Sequence, residues 1–410
     1  MRDGGRIAAA IGILGDMEAR HRPARLALKA WGDSARYAGA KDRAFVSGLV
    51  LDVLRRRRSL AWRMGKDGDR ACVLGVLRLA WDWPLDRIVA AAEEPHGPGA
   101  LTEAEQVRLA APIALADAPP PVQGDYPDWL DPSLERVFGE ARGNELAAMA
   151  ARAPVDLRVN TLKTDDAHVL KALAAFGPEP LDFPLHALRI AAPAAADRAA
   201  PVEATPEFEK GWFEVQDAGS QIAAATAGDI TGAQVLDYCA GGGGKTLALA
   251  AAMGATGQLY AYDADAGRLA ETVKRARRAG VRNLQVRSPL RPEALKDLEG
   301  HMDLVFVDAP CTGSGTWRRH PDAKWRLTEA QLNRRMVEQE QILAAAATYV
   351  KPGGRLIYVT CSLLAEENDD QIARFLAEAE GWRMSEDFLR LTPRTAGTDG
   401  FFIAALMRGT

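Results

Sequence analysis

Cysteine is scarce. Four are spread over 410 residues, at 72, 239, 311 and 361, and no CxxC pair exists. So few thiols in so long a chain exclude a disulfide framework. None of the six histidines stands beside a cysteine at zinc-ligand spacing, so no metal is expected. Long apolar runs are missing as well. Residues 7–15 are apolar and follow Arg2 and Arg6, as the middle of a signal peptide would. Asp16, Glu18 and Arg20 then end the run, and Ile7, Ile11 and Leu14 have the spacing of a soluble amphipathic helix. Nothing approaches the roughly 20 uninterrupted apolar residues of a membrane helix, so the expectation is a cytoplasmic protein with no membrane partner. An excess of one charge is absent too, the net formal charge being only −4. Local charge is less even: residues 1–60 hold thirteen Lys/Arg against six Asp/Glu, and residues 271–335 fourteen against eight. Such stretches are either polyanion-binding surfaces or ordinary solvated helix faces.

What is present is a globular composition, 48% hydrophobic and 26% charged, long enough for two or three domains. Residues 1 to about 117 read as helix throughout, with apolar residues at helical spacing in 45–54 and 73–80. Three prolines in a row, Pro119–Pro121, read as a linker, because they cannot continue a helix. A small mixed region follows, with strands at 155–160 and 188–190 and a helix near 168–176. From about 216 the rhythm becomes strand, turn, helix, repeated. Residues 235–237, 259–263, 304–308 and 356–360 are short apolar runs of the kind buried in a parallel sheet. The expected division is a helical domain at 1–124 including the linker, a small α+β subdomain at 125–215, and a doubly wound α/β domain at 216–410. Trp62, Trp81 and Trp83 read as core. The oligomeric expectation is a monomer.

Each of the four α/β strands ends at a polar or reactive residue: Asp237, Asp263, Asp308, and Cys361 one residue past Thr360. Ligands of open parallel sheets sit beyond the carboxyl ends of the strands, so four strands aim functional groups at one crevice. The loop Cys239-Ala240-Gly241-Gly242-Gly243-Gly244-Lys245-Thr246 follows the first strand and opens a helix, bringing backbone N–H groups near a ligand. A P-loop would need glycine at 239, and a dinucleotide fingerprint would need glycine or alanine at 246; Cys239 and Thr246 stand there instead. Asp263, about twenty residues on, is placed to accept hydrogen bonds from a ribose diol. A nucleoside cofactor without a phosphate grip fits S-adenosylmethionine better than ATP.

Cys72 lies inside a helical pattern and reads as a small apolar filler. Cys311, in Asp308-Ala309-Pro310-Cys311, and Cys361, in Thr360-Cys361-Ser362, follow strands instead. Two thiols suit methylation of cytosine at carbon 5. A thiolate adding to carbon 6 makes carbon 5 enamine-like, a carboxyl group near N3 steadies the charge, and a second group assists proton removal and release.

These residues match a known pattern. The region resembles the NOP/Sun family of RNA 5-methylcytosine methyltransferases at 237–246, Asp263, 303–316, 318–325, 351–362, Glu367, Asn368, Gln371 and 399–402, and earlier at 158–163 and 215–221. Residues 42–50 are similar to the NusB-like domain of the family's bacterial RsmB branch. The resemblance implies a class I methyltransferase sheet, S-adenosylmethionine as cofactor, and an RNA substrate, with small-subunit ribosomal RNA first and tRNA or another rRNA site open. Carried over, it makes Cys361 the nucleophile, Cys311 the group that assists release, and Asp308 a neighbour of both cytosine and cofactor. The loop Cys239, Ala240, Gly241, Gly242, Gly243, Gly244 and Lys245 would hold the methionine end of the cofactor, and Asp263 its ribose. Arg318, Arg319 and Lys324 directly follow the Cys311 loop and are expected RNA contacts, and Arg55–Arg58 candidate phosphate contacts. Two departures stand out: Gly241-Gly242 replace the family's Ala-Pro, and Ser288, in Arg287-Ser288-Pro289, occupies the region where the family places an adenine-side Asp. Still open are a P-loop ATPase, a catalytically silent RNA-binding protein and a uracil-5 methylase using the same thiol chemistry.

Overall fold

Helical periodicity over the first 110 residues becomes helices packed on one another in the structure, a computed structural model that describes residues 1–197, 199–291 and 293–410. Two compact units form. The helical unit comprises Met1–Ala153, Ala192–Ala199 and Thr316–Leu327; the α/β unit comprises Pro154–Ala191, Ala200–Gly315 and Thr328–Thr410.

In the helical unit, helices Asp3–Arg20, Ala40–Arg55 and Asp69–Leu79 bury apolar stripes: Ile7, Ala10 and Leu14, with the expected Ile11 half-buried at the edge; Val46, Leu49, Val50 and Val53; Val73, Val76 and Leu77. Cys72 is buried among them, and burial pushes its thiol up to about 12. Phe45 packs edge-on against Trp81 at 4.9 Å and tilted against Trp83 at 5.9 Å, so those two tryptophans serve the core. Trp62 donates to the Ala114 carbonyl at 2.9 Å.

The proline run differs from its expected role as linker. Pro120–Gln123 forms a short helix with proline in its first turn, and Pro121 and Val122 are buried. Asp125 is buried just beyond, accepting from the N–H groups of Arg58 and Ser59 at 2.9 Å each and from Ser59 Oγ at 2.6 Å. Its carboxylate thus satisfies donors at the start of helix Arg57–Met64, and the chain stays in the helical unit as far as Ala153.

The α/β unit holds two sheets. The smaller has strands β1 (Val155–Val159), β2 (Glu179–Pro180), β3 (Ala187–Ile190) and β4 (Phe213–Val215) in the order β2-β3-β1-β4, all antiparallel. The larger runs β10-β12-β9-β8-β5-β6-β7, with β11 paired to β12. Its strands are β5 (Gln234–Asp237), β6 (Gln258–Tyr262), β7 (Leu284–Arg287), β8 (Met302–Asp308), β9 (Val350–Thr360), β10 (Trp382–Met384), β11 (Leu389–Leu391) and β12 (Phe401–Arg408). Strands β5 to β9 pair in parallel; β12 is antiparallel to β9. This is the doubly wound class I methyltransferase sheet. Alternate residues of β8 enter opposite cores, Val305 and Val307 on one face and Leu304 and Phe306 on the other, which is why the strand reads as unbroken apolar sequence. The chain goes from β5 to β6 and β7 on one side, then returns to β8 on the other. A ligand crevice is expected at that reversal, beyond Asp237 and Asp308.

Candidate active site

Residues after the carboxyl ends of β8 and β9 bring both thiols to one point: Cys311 Sγ lies 3.4 Å from Cys361 Sγ, and each residue is half-buried. Lys245, from helix Gly244–Ala252, places Nζ 2.7 Å from Asp308 Oδ2. Burial is the largest single influence and pulls its ammonium down, but the charge and hydrogen bond of Asp308 together with Cys361 and Asp237 raise it overall. A buried ammonium therefore stays charged among a carboxylate and a thiol. The Asp308 side chain keeps 34% of its surface open, so one wall of the crevice is an accessible, oriented carboxylate.

Beneath the thiols lies a buried carboxylate. Glu367 accepts from Thr312 N–H at 2.8 Å, Ser362 Oγ at 2.5 Å and Gln339 Nε2 at 3.0 Å. Thr312 follows Cys311 and Ser362 follows Cys361, so one side chain ties both cysteine loops together. Ser314 Oγ, 3.0 Å from Ser362 Oγ and accepting from Leu363 N–H at 2.7 Å, adds a second tie. The loop also presses against residues 399–400. Gly400 N–H donates to the Gly315 carbonyl at 2.7 Å, and a Cβ on Gly315 would stand 2.1 Å from the Gly400 oxygen. Glu367 and Asn368 were visible in the sequence only as part of a motif. Thr312, Ser314 and Ser362 likewise stood only inside the stretches 303–316 and 351–362, and Gln339 gave no signal, because glutamine is common on helix faces.

The glycine loop lies at the carboxyl end of β5. Gly241 has φ +54° and Gly243 φ +85°, left-handed conformations suited to glycine, and a Cβ on Gly243 would meet Thr272 Cγ2 at 2.9 Å. Asp263 accepts from Gly241 N–H and from Asp265 N–H at 2.8 Å each, so both of its oxygens bind backbone at the loop and the next turn. Asp237 does not open into the crevice as its strand-end position predicts; it is fully buried and accepts from Thr246 Oγ1 at 2.6 Å. Its Oδ1 is buried with no hydrogen-bond partner among the described residues. Cys239 is half-buried, its thiol pushed well up by burial and then by Asp237, Asp308 and Asp263. Ser288 Oγ accepts from Leu290 N–H at 3.3 Å, closing the turn after β7, and Arg287 pairs with Asp297 at 2.8 Å.

Two of the three expected RNA contacts lie elsewhere than a phosphate contact requires. Arg318 and Lys324 are 3% and 2% exposed inside the helical unit. Lys324 Nζ donates to the Arg55 carbonyl at 2.8 Å, and Arg55 donates to the Arg318 carbonyl at 2.9 Å. Burial pulls the Lys324 ammonium down to about 8, against the raising effect of Asp125. Charges turned inward this way cannot meet a phosphate. Arg319 is half-buried. The Arg55–Arg58 run is likewise engaged: Arg55 and Arg56 face Asp52, Arg57 faces Glu18 and Asp69, and Arg58 faces Asp128.

Comparison with known proteins agrees with this geometry. Residues 228–407 match the model of the 16S rRNA methyltransferase RsmB/F family, and residues 126–197 that of the RsmF/B-like ferredoxin-like domain. The chain is 31% identical to the probable ribosomal RNA small subunit methyltransferase B of Synechocystis, over 90% of this chain and 91% of that protein. The chain belongs to the RsmB/F methyltransferase family. The Salmonella enteritidis ribosomal RNA small subunit methyltransferase B is 34% identical over the same shares. Among solved structures, a methyltransferase homologue from Pyrococcus horikoshii is similar with TM-score 0.60 and 28% identity, covering 70% of this chain and 97% of that one. NSun6 from Pyrococcus horikoshii shares the fold, with TM-score 0.62 and 20% identity over 69% of this chain and 98% of that one.

As a family member the protein is a methyltransferase that uses S-adenosylmethionine. The residues present fit that group. Nothing lies within 4 Å of a Cβ placed on Gly241, so the loop keeps open space for a ligand, and Asp308, paired with Lys245 of the loop, keeps 34% of its side chain open to meet a polar group. No helix among the described residues is long and apolar enough to cross a membrane.

Proposed function

We propose that this enzyme transfers a methyl group to carbon 5 of a cytosine in small-subunit ribosomal RNA, through a covalent bond from Cys361. The observation that carries the reading is the pair of thiols 3.4 Å apart beside the Lys245–Asp308 ion pair. The names and extents of the relatives support the choice of RNA.

Cys361 Sγ forms a bond to carbon 6, and the electrons of the 5,6 double bond become available at carbon 5. Bound S-adenosylmethionine supplies an electrophilic methyl group on its sulfonium. Asp308, held by Lys245, faces the polar edge of the base, where charge develops. The Cys239–Lys245 loop and Asp263 would hold the cofactor. After methyl transfer the carbon-5 proton passes to water, its bonding electrons restore the 5,6 double bond, and the carbon 6–sulfur bond breaks with its electron pair returning to Cys361 Sγ. Cys311 suits a part in that second half. The hydrogen bond to Cys361, then burial, then the charges of Cys361 and Glu367 push its thiol well above the usual range, which suits it to hold a proton for the departing Cys361 sulfur. Arg319 is the remaining RNA contact of the three read from the sequence.

Two variants test the roles. Cys361→Ala is expected to abolish methyl transfer while S-adenosylhomocysteine still binds. Cys311→Ala is expected to accumulate a denaturant-resistant protein–RNA adduct. Normal turnover without adduct in Cys311→Ala would reject the assignment. Digestion of labelled product to nucleosides separates 5-methylcytidine from 5-methyluridine.

A further inference from the structure

Four consecutive glycines are a costly way to build a loop that must receive a ligand. Glycine loses more backbone freedom on ordering than any other residue, so an untied run at 241–244 would sample many shapes. The structure ties it from outside. Gly241 N–H donates to Asp263 Oδ2 at 2.8 Å, Thr272 Oγ1 donates to the Gly241 carbonyl at 2.9 Å, and Arg275 Nη1 donates to the Gly242 carbonyl at 2.6 Å. Thr272 and Arg275 stand three residues apart on helix Ala266–Ala279 and so face the loop together. A trans peptide points its C=O and the following N–H in opposite directions. Holding the Gly241 carbonyl on Thr272 therefore turns Gly242 N–H away from that helix.

Arg275 is itself fixed at its far side. Its Nη2 meets Glu214 Oε2, on β4, at 2.9 Å, and the Glu214 side chain is only 3% exposed. Glu214 also holds Arg278, whose guanidinium lies over the Phe208 ring at 3.9 Å. One guanidinium thus links a buried carboxylate to the middle of the glycine loop. Its two donors point along the fork that lysine lacks.

We propose that Arg275, anchored by Glu214, is a positioning residue for the cofactor, holding the Gly241–Gly244 loop in the shape that receives the methionine end of S-adenosylmethionine. The proposal rests on the reading of that loop as the cofactor's seat. It gives the chain from outside the stiffness that its loop sequence does not supply.

The test compares the full-length protein with Arg275→Ala, Arg275→Lys, Arg275→Ala combined with Gly242→Ala, and Asp263→Ala. S-adenosylhomocysteine affinity is measured by calorimetry, and amide hydrogen exchange is followed in the ligand-free protein. Loss of a charged hydrogen bond predicts about ten-fold weaker binding for Arg275→Ala. KM for S-adenosylmethionine rises in step, kcat at saturation stays within about two-fold, and exchange quickens at 241–246. Arg275→Lys can keep a charge on Glu214 without the second donor. It shows the same weakening, and it carries the test if the alanine variant fails to fold. A Cβ at 242 meets only the Arg275 guanidinium, at 3.6 Å, so in the double variant it stiffens the loop unopposed and recovers about two- to five-fold in affinity. Unchanged affinity in both Arg275 variants with weakened binding in Asp263→Ala overturns the clamp alone. Unchanged binding in Asp263→Ala overturns the cofactor seat on which it rests. A fall in kcat with KM unmoved also overturns the clamp.

Discussion

At Asp237 burial works against charge. Burial first, partly offset by the Thr246 hydroxyl and reinforced by Asp308, raises its carboxyl to about 7. An unfolded aspartate titrates near 3.9, so between about 4 and 7 the folded protein holds a proton that the unfolded chain has released. The stability linked to that proton is fully present below the unfolded value and is lost as pH rises through about 7. Thermal melts from pH 4 to 8 are therefore expected to show wild type losing stability relative to Asp237→Asn as pH increases. Parallel curves would reject the shift. Three of the four strand-end groups in the sequence, Asp263, Asp308 and Cys361, lie at the crevice. The fourth, Asp237, turns inward because Thr246, on the next helix, offers a hydroxyl that no spacing rule reveals.

Elements decide how far those groups can move. The Cys311 loop passes so close to residues 399–400 that only glycine fits at 315, where a Cβ would overlap the Gly400 carbonyl. Gly315→Ala is expected to shift the loop by roughly an ångström, which at a reacting centre costs about a hundred-fold in kcat/KM; single-turnover kinetics with melting as control would measure it. Full activity would show that the loop yields harmlessly. A second prediction concerns Lys324, read from the sequence with Arg318 and Arg319 as an RNA contact. Lys324→Ala removes a buried stem and orphans the Arg55 carbonyl, with an expected cost of about 2–4 kcal/mol in a denaturant melt. A phosphate contact would leave stability alone and flatten the salt dependence of RNA binding. The strands of the large sheet were legible because burial on both faces writes unbroken apolar runs. The proline run was misread because its burial depends on partners such as Asp125 and helix Arg57–Met64, which local rules do not include.

For the whole molecule, net charge gives no guide to an RNA substrate; the reading rests on the crevice and the relatives. Bisulfite sequencing of total RNA, with and without the gene, is expected to lose protection at a small-subunit ribosomal cytosine. Loss at a tRNA position instead would move the substrate while leaving the chemistry intact.

The sequence by itself determined the α/β rhythm, the helical amino-terminal region and the chemical types at the strand ends, because periodicity and strand-end chemistry are local properties of the chain. Only tertiary structure decided that Glu367 joins the two cysteine loops, that Lys324 points inward, and that Arg275 reaches a glycine carbonyl 33 residues away. Those outcomes depend on which groups find partners once water is excluded, and a buried donor or acceptor takes its partner from whatever the fold brings near.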